Sequence, residues 1–255
     1  MRIFIIIAVI LQFSLFTKAQ TLVIAHRGSS FLAPENTISS AKLAWEQNAD
    51  AVECDIYLTK DNRVMVMHDS DTKRTTGQSH KLAGTNSDVL RTLDAGVWKD
   101  PKYKGEKIPF LDELIATVPE GKKLVVEIKC GPEIFPFLKK IVKSSGKKKQ
   151  LVFIAFDWET IVKAKRLFAK NACYWLSSSA TSVEQKLPDI KKNKLDGVNL
   201  YNKIVNKDLM LKAQSAGVTV LSWTIDDPDE AKRLVQLGIS AITTNRPDLM
   251  KESLQ

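Results

Sequence analysis

The chain has 255 residues, 44% of them hydrophobic and 26% charged, with 38 Lys and Arg against 29 Asp and Glu for a net charge of +9. That is enough chain for one large α/β domain, and too apolar a composition for an intrinsically disordered one. The positive excess sits in scattered lysines such as Lys147-Lys148-Lys149 and Lys191-Lys192 with no interleaved aromatics, which argues against nucleic acid as a partner and for a solvated lysine surface.

The first element is a leader. Arg2 precedes the apolar run Ile3 to Leu11, and small or polar residues follow to Thr17-Lys18-Ala19-Gln20. A positive start, a short apolar centre and small residues before a cut after Ala19 predict a secretory signal over 1–19, with the functional domain at 20–255. The apolar run is short for ~30 Å of hydrocarbon, and no later segment approaches a membrane span. The product is expected to be exported, to a periplasm or to the medium, with no stable membrane span after cleavage.

Leu22 to Ala25 reads as a strand, and Asn36 to Asn48 as a helix with Ile38, Ala41, Leu43, Ala44 and Trp45 facing inward. Ala51 to Ile56 is the next strand, and Val64 to Met67 is a short arm set to form a hairpin with it. From Asp69 to Lys107 the composition turns to Gly, Thr, Ser, Asp and Lys, which predicts a polar insertion covering a site. His80 falls there and is expected to be an exposed loop residue. Regular alternation then resumes with helix Phe110–Val118 and strand Leu124–Ile128. Helix and strand go on alternating to the strand Ala241–Thr243 and a last helix from Pro247 to Leu254. Eight strands, the arm apart, each with a following helix, predict an α/β fold: a TIM-type (β/α)8 barrel with a polar insertion after the second strand. The competing doubly wound sheet lacks the GxGxxG loop expected after its first strand.

The cysteines are Cys54, Cys130 and Cys173, an odd number at irregular spacing that gives no disulfide framework. Cys54 and Cys130 are expected inside strands, pointing away from the acidic residues beside them, as small buried apolar side chains.

Charge is costly to bury, so ionisable groups at strand ends mark a site. His26 and Arg27 follow the first strand, Glu53 and Asp55 lie on the second, His68 follows the arm, and Glu127 and Lys129 end the third. In a barrel these converge at one mouth. Residues two apart on a strand share a face, so Glu53 and Asp55 point together, as do Glu127 and Lys129. Three carboxylates aimed at one place repel unless a cation joins them. Spacing alone admits Arg27 and Lys129 as plain salt-bridge partners equally with a hard Mg²⁺ or Ca²⁺; the two nearby histidines favour the metal. Arg27 and Lys129 suit phosphate oxygens, and a histidine pair supplies one base and one acid near neutral pH.

Taken in order, His26-Arg27-Gly28 with Ala33-Pro34-Glu35-Asn36-Thr37, Glu53-Cys54-Asp55 through Asp61, Val64 to Asp69 and Glu127-Ile128-Lys129 resemble the glycerophosphodiester phosphodiesterase family. Ser222-Trp223-Thr224 and Thr243-Thr244-Asn245-Arg246-Pro247 extend the resemblance to the C-terminus. It implies a (β/α)8 barrel of the phosphatidylinositol phospholipase C-like type, with a divalent Ca²⁺ or Mg²⁺ ion held by Glu53, Asp55 and Glu127. It further implies His26 and His68 as the acid–base pair, Arg27 and Lys129 as phosphate contacts, and Trp223 as an aromatic at the mouth, where packing inside the barrel is the alternative. The expected substrate is a small glycerophosphodiester, cleaved to glycerol 3-phosphate and an alcohol. A lipid-cleaving relative of the phospholipase or sphingomyelinase D type, or a non-catalytic anion-binding barrel, are the competing readings. Asp226-Asp227 departs from the family, where Asn is common, and leaves the leaving-group preference open.

Overall fold

In a computed structural model describing residues 21–254, the strands alternate in sequence with amphipathic helices and close into a barrel. The predicted signal segment 1–19 lies outside the described residues. The strands are β1 (Leu22–Ala25), β2 (Ala51–Leu58), β3 (Val64–Val66), β4 (Lys123–Ile128) and β5 (Leu151–Ala155). They continue with β6 (Cys173–Ser177), β7 (Gly197–Tyr201), β8 (Thr219–Trp223) and β9 (Ala241–Thr244). Their order is β1-β9-β8-β7-β6-β5-β4-β2-β3, and a parallel β1–β2 pairing closes the ring. Only β3 stands outside it, antiparallel to the extension of β2, with Ile56 opposite Val66 and Leu58 opposite Val64. The fold is thus a (β/α)8 barrel, as the alternation predicts.

Helices form where apolar residues recur at three and four. Phe135, Leu138 and Val142 are the buried stripe of helix Phe135–Ser144. Several later helices open on polar caps shortly after a strand: Asp157 accepts from Thr160 N–H, Ser179 from Ser182 N–H and Asn206 from Leu209 N–H. These outer faces pack on the barrel wall in one large core that includes Phe153, Ile161, Leu187 and Ile242.

Two helix starts differ from expectation. The first runs Ile38–Glu46 rather than Asn36–Asn48, because Thr37 caps it and Asn36 takes a left-handed conformation (φ 58°) to meet Asp55. The other covers Leu111–Ala116, with Phe110 as its cap after Pro109. The insertion is also more than a polar cover. Leu82, Leu90, Leu93, Ala95 and Ile108 bury against Met65 and Met67 in a small core of their own. Leu90 and Leu93 therefore do not face the mouth, while Trp98 keeps 39% of its surface exposed. His80 is half-buried rather than exposed, with its N–H on Thr72 Oγ1 at 3.2 Å, and it stands outside the barrel mouth.

Inside the ring, the two-residue period of a strand stacks side chains in layers. Ile24, Ala51, Val125, Ile154, Leu176, Leu221 and Ala241 form a dry lower layer. Two residues further along the same strands come His26, Glu53, Glu127, Phe156, Trp223 and Thr243, and these line the cavity above. The apolar layer is the floor on which the polar one stands.

Candidate active site

The cavity at the strand C-termini has a volume of about 140 Å³ and is lined on its polar side by His26, Arg27, Glu53, His68, Glu127 and Lys129. Phe156, Ile154, Leu176 and Trp223 supply its apolar side. A small cavity with ionisable groups converging from one side and an apolar wall on the other suits a small charged ligand.

Glu53, Asp55 and Glu127 each offer an oxygen, and these oxygens lie within 4.8 Å of one another. Parallel pairing of β2 with β4, Glu53 opposite Val125 and Asp55 opposite Glu127, sets this spacing. At that separation two full charges repel by about 3 kcal/mol even at an effective dielectric constant of about 20. Burial, then Asp55 and then Glu127, holds the Glu53 carboxyl well above the usual carboxylate range. Burial and Asp55 push Glu127 up to about 7 against the pull of Lys129. Lys129 Nζ stands 3.5 Å from Asp55 Oδ1 and 3.3 Å from Glu127 Oε1, and Arg27 Nε 3.4 Å from Asp55 Oδ2. Both salt-bridge partners allowed by the sequence are therefore real, yet they leave Glu53 with only His26 Nε2, at 3.9 Å. Glu53 Oε2 accepts the Arg27 N–H at 3.0 Å, while Oε1 is buried without a hydrogen-bond partner. An all-oxygen donor set with one orphaned buried carboxylate oxygen fits a hard divalent cation.

Each histidine is aimed from behind. His26 Nδ1 lies 2.8 Å from Asn245 Oδ1. Burial and then the charge of Arg27 push its pKa down to about 4, outweighing Asp55 and Asn245. His68 Nδ1 lies 2.6 Å from Asp69 Oδ1. Behind Asp69, Arg74 Nε donates to Asp69 Oδ2 at 2.7 Å, and the Arg74 fork clasps both oxygens of Glu35 at 2.8 Å. Glu35 Oε1 in turn accepts from Arg27 at 2.9 Å. Hydrogen bonds to Arg74 and His68 hold Asp69 down to about 2. Burial would raise Glu35, but Arg74 and Arg27 outweigh it and bring it to about 2.

Trp223 takes both positions allowed by the sequence. It lines the cavity and packs on the inner apolar layer, with Nε1 donating to Asn199 O at 3.1 Å. Phe156 meets it edge-on and Tyr201 at a tilt, both with ring centroids 5.5 Å away. Cys54 is buried behind the acids as expected. Cys130 falls two residues past the end of β4 and is only half-buried, because the strand ends at Ile128.

All eight site residues expected from sequence therefore gather at one mouth, seven of them lining the cavity and Asp55 buried beside them. Sequence reasoning missed Asn36, whose buried amide donates to Asp55 Oδ2 at 2.8 Å, and the supporting parts of Glu35, Asp69, Arg74 and Asn245. Glu35, Asn36, Asp69 and Asn245 stand inside the quoted motifs, and that was the available signal. Arg74 had none.

Acids, imidazoles and cations gathered where the strands of a closed barrel end are the layout of a (β/α)8-barrel enzyme. A family model described as the glycerophosphoryl diester phosphodiesterase family matches residues 26–249. The chain is 30% identical over 236 residues to a glycerophosphodiester phosphodiesterase of Caldanaerobacter subterraneus, covering 91% of this chain and 96% of that one. It is 29% identical over 262 residues to one of Bacillus subtilis, covering 92% and 87%. Its structure matches that of an Oleispira antarctica phosphodiesterase in complex with the product sn-glycerol-3-phosphate, with a TM-score of 0.80 and 29% identity over 92% of this chain and 97% of that one. The chain belongs to the glycerophosphoryl diester phosphodiesterase family, and so is a phosphoric diester hydrolase. No helix among the described residues is long and apolar enough to cross a membrane.

Proposed function

We propose that the protein hydrolyses small glycerophosphodiesters to glycerol 3-phosphate and an alcohol, with a divalent cation and two histidines. The observation that carries this is the acidic trio with its unpartnered buried Glu53 oxygen, two of its members lining the same cavity as both imidazoles and both phosphate-type cations. Glu53, Asp55 and Glu127 would hold Ca²⁺ or Mg²⁺, which when bound supplies Lewis-acid neutralisation of phosphate charge. Arg27 and Lys129 bind the phosphate oxygens and the extra charge of the transition state. His26, backed by the neutral amide of Asn245, takes the proton of the attacking oxygen, either water directly or a glycerol hydroxyl whose cyclic phosphate water then opens. His68, backed by the Asp69 carboxylate that steadies an imidazolium, gives a proton to the departing alcohol as the P–O bond breaks. Trp223 and Phe156 form the apolar wall against which the organic groups lie. The product bound in the Oleispira antarctica relative supports the glycerol phosphate half of the substrate. The leader sequence supports export from the cytoplasm, which mass measurement of the secreted chain, beginning at Gln20, would establish.

Turnover of glycerophosphocholine by the purified protein is the direct test. EDTA is expected to abolish it and Ca²⁺ or Mg²⁺ to restore it. His26→Ala and His68→Ala are each expected to lower kcat by about 100-fold or more. Full activity in EDTA would refute the metal, and full activity of either variant would refute that histidine's part. Preference for a diacyl diester over the water-soluble one would move the protein to the lipid-cleaving reading.

A further inference from the structure

We infer that Asp226 and Asn245 together set the ring orientation and tautomer of His26, with Asp226 deciding which end of the Asn245 amide the imidazole meets.

The geometry is a short chain of hydrogen bonds at the ends of β8 and β9. Asn245 Nδ2 donates to Asp226 Oδ2 at 2.6 Å. Asp226 Oδ1 accepts the Asn245 N–H at 2.7 Å and the Thr244 hydroxyl at 2.9 Å. The other end of the amide, Oδ1, faces His26 Nδ1 at 2.8 Å and the Ser30 hydroxyl at 2.9 Å.

An amide has one accepting end and one donating end of nearly equal shape, so its partners determine how it lies. A carboxylate only accepts. Asp226 therefore requires the NH₂ end and turns Oδ1 toward His26. An oxygen there requires a donor in reply, which places the imidazole proton on Nδ1 and leaves the Nε2 lone pair toward the cavity and Glu53. That lone pair is what a base needs. Asp226 reaches the reaction only through Asn245 and is a positioning residue. The inference rests on His26 serving as the base.

The test is an exchange. In Asp226→Asn, the backbone N–H of Asn245 and the Thr244 hydroxyl still claim the oxygen of the new amide, so its NH₂ faces Asn245. Asn245 must then turn its own NH₂ toward His26, and the imidazole proton moves to Nε2. Asn245→Asp alone opposes two carboxylates. The double exchange, Asp226→Asn with Asn245→Asp, restores a donor against an acceptor at each link and returns the proton to Nδ1.

Histidine ¹⁵N NMR of the full chain reads the tautomer directly, and steady-state kinetics on glycerophosphocholine reads its effect. Each single variant is expected to lose about 10- to 100-fold in kcat with KM within about twofold. The double exchange is expected to recover most of that loss, with the wild-type ¹⁵N pattern restored. An unchanged pattern and kcat in Asp226→Asn would overturn the inference. So would a double exchange no more active than the worse single variant while its melting temperature matches wild type. His26→Ala separates this result from the reading beneath it. If that variant keeps full kcat, His26 is not the base, while the NMR pattern of Asp226→Asn still reports whether Asp226 sets the ring.

Discussion

Asn36 holds two demands at once. Its backbone is left-handed, with φ 58°, a conformation that Asn tolerates better than most residues. Its buried side chain donates to Asp55 Oδ2 at 2.8 Å and accepts the Asp55 N–H at 3.2 Å, so it fixes the acid that also meets Arg27 and Lys129. Asn36→Ala removes a donor to a buried charge and puts a Cβ-bearing residue without side-chain compensation in the left-handed region. The expected loss is about 2–4 kcal/mol, measured as a lower urea midpoint, and activity should fall with it. Gly28 is stricter still: a Cβ there would lie 2.5 Å from the Ser40 carbonyl carbon, so Gly28→Ala displaces the first helix from the site loop. At this scale the sequence exposed the charged residues and hid the neutral ones. His26, Glu53 and Lys129 stand out because charge at a strand end needs a reason. Asn36 and Asn245 are ordinary loop residues until their partners, 19 and 219 positions away, are seen.

Between elements, the informative joint is Arg74. It sits on the short helix Lys73–Thr76 at the start of the insertion and ties Asp69 beside His68 to Glu35 in the loop after β1. Both carboxylates are held at about 2, below their usual range, so their contribution to stability is full above about pH 4.5 and fades as pH falls toward 2. Arg74→Gln removes the main cause at Asp69 and the first opposing one at Glu35. Its acid-unfolding midpoint, followed by circular dichroism, should move to higher pH. Its stability at pH 7 should fall by no more than about 1 kcal/mol, because Arg74 is largely open to water. An unchanged acid midpoint would mean the network does not join the insertion to the barrel. The insertion's limits were legible from composition. Its private core was not, because Leu82, Leu90, Leu93 and Ile108 follow no single period and find their partners in Met65 and Met67 of the arm.

For the molecule as a whole, the alternation of strand and helix made the barrel legible, since eight parallel strands with covering helices have few other ways to close. What alternation does not reveal is where the ring is weakest. The β1–β2 seam holds two paired positions, Ile24 with Ala51 and Ala25 with Val52, as few as β8 with β9 and against six between β2 and β4. The acidic trio stands on the neighbouring β2–β4 pair, and His26 and Arg27 reach it from the end of β1 across the seam. A cation there would tie β2 to β4 beside the closure and relieve the repulsion among three buried carboxylates. Binding to the native state alone at 100 times Kd adds about 2.7 kcal/mol. In a chain of this size that is roughly 5–10 °C in Tm. Calcium is therefore expected to raise Tm by that amount and EDTA to remove the gain. Glu53→Gln makes the comparison decisive, because it removes one charge from the cluster and one ligand from the ion. Its Tm in EDTA should equal or exceed that of wild type, and calcium should no longer move it. If wild type melts at the same temperature in calcium, magnesium and EDTA, the trio holds no ion and the barrel closes by its strands alone.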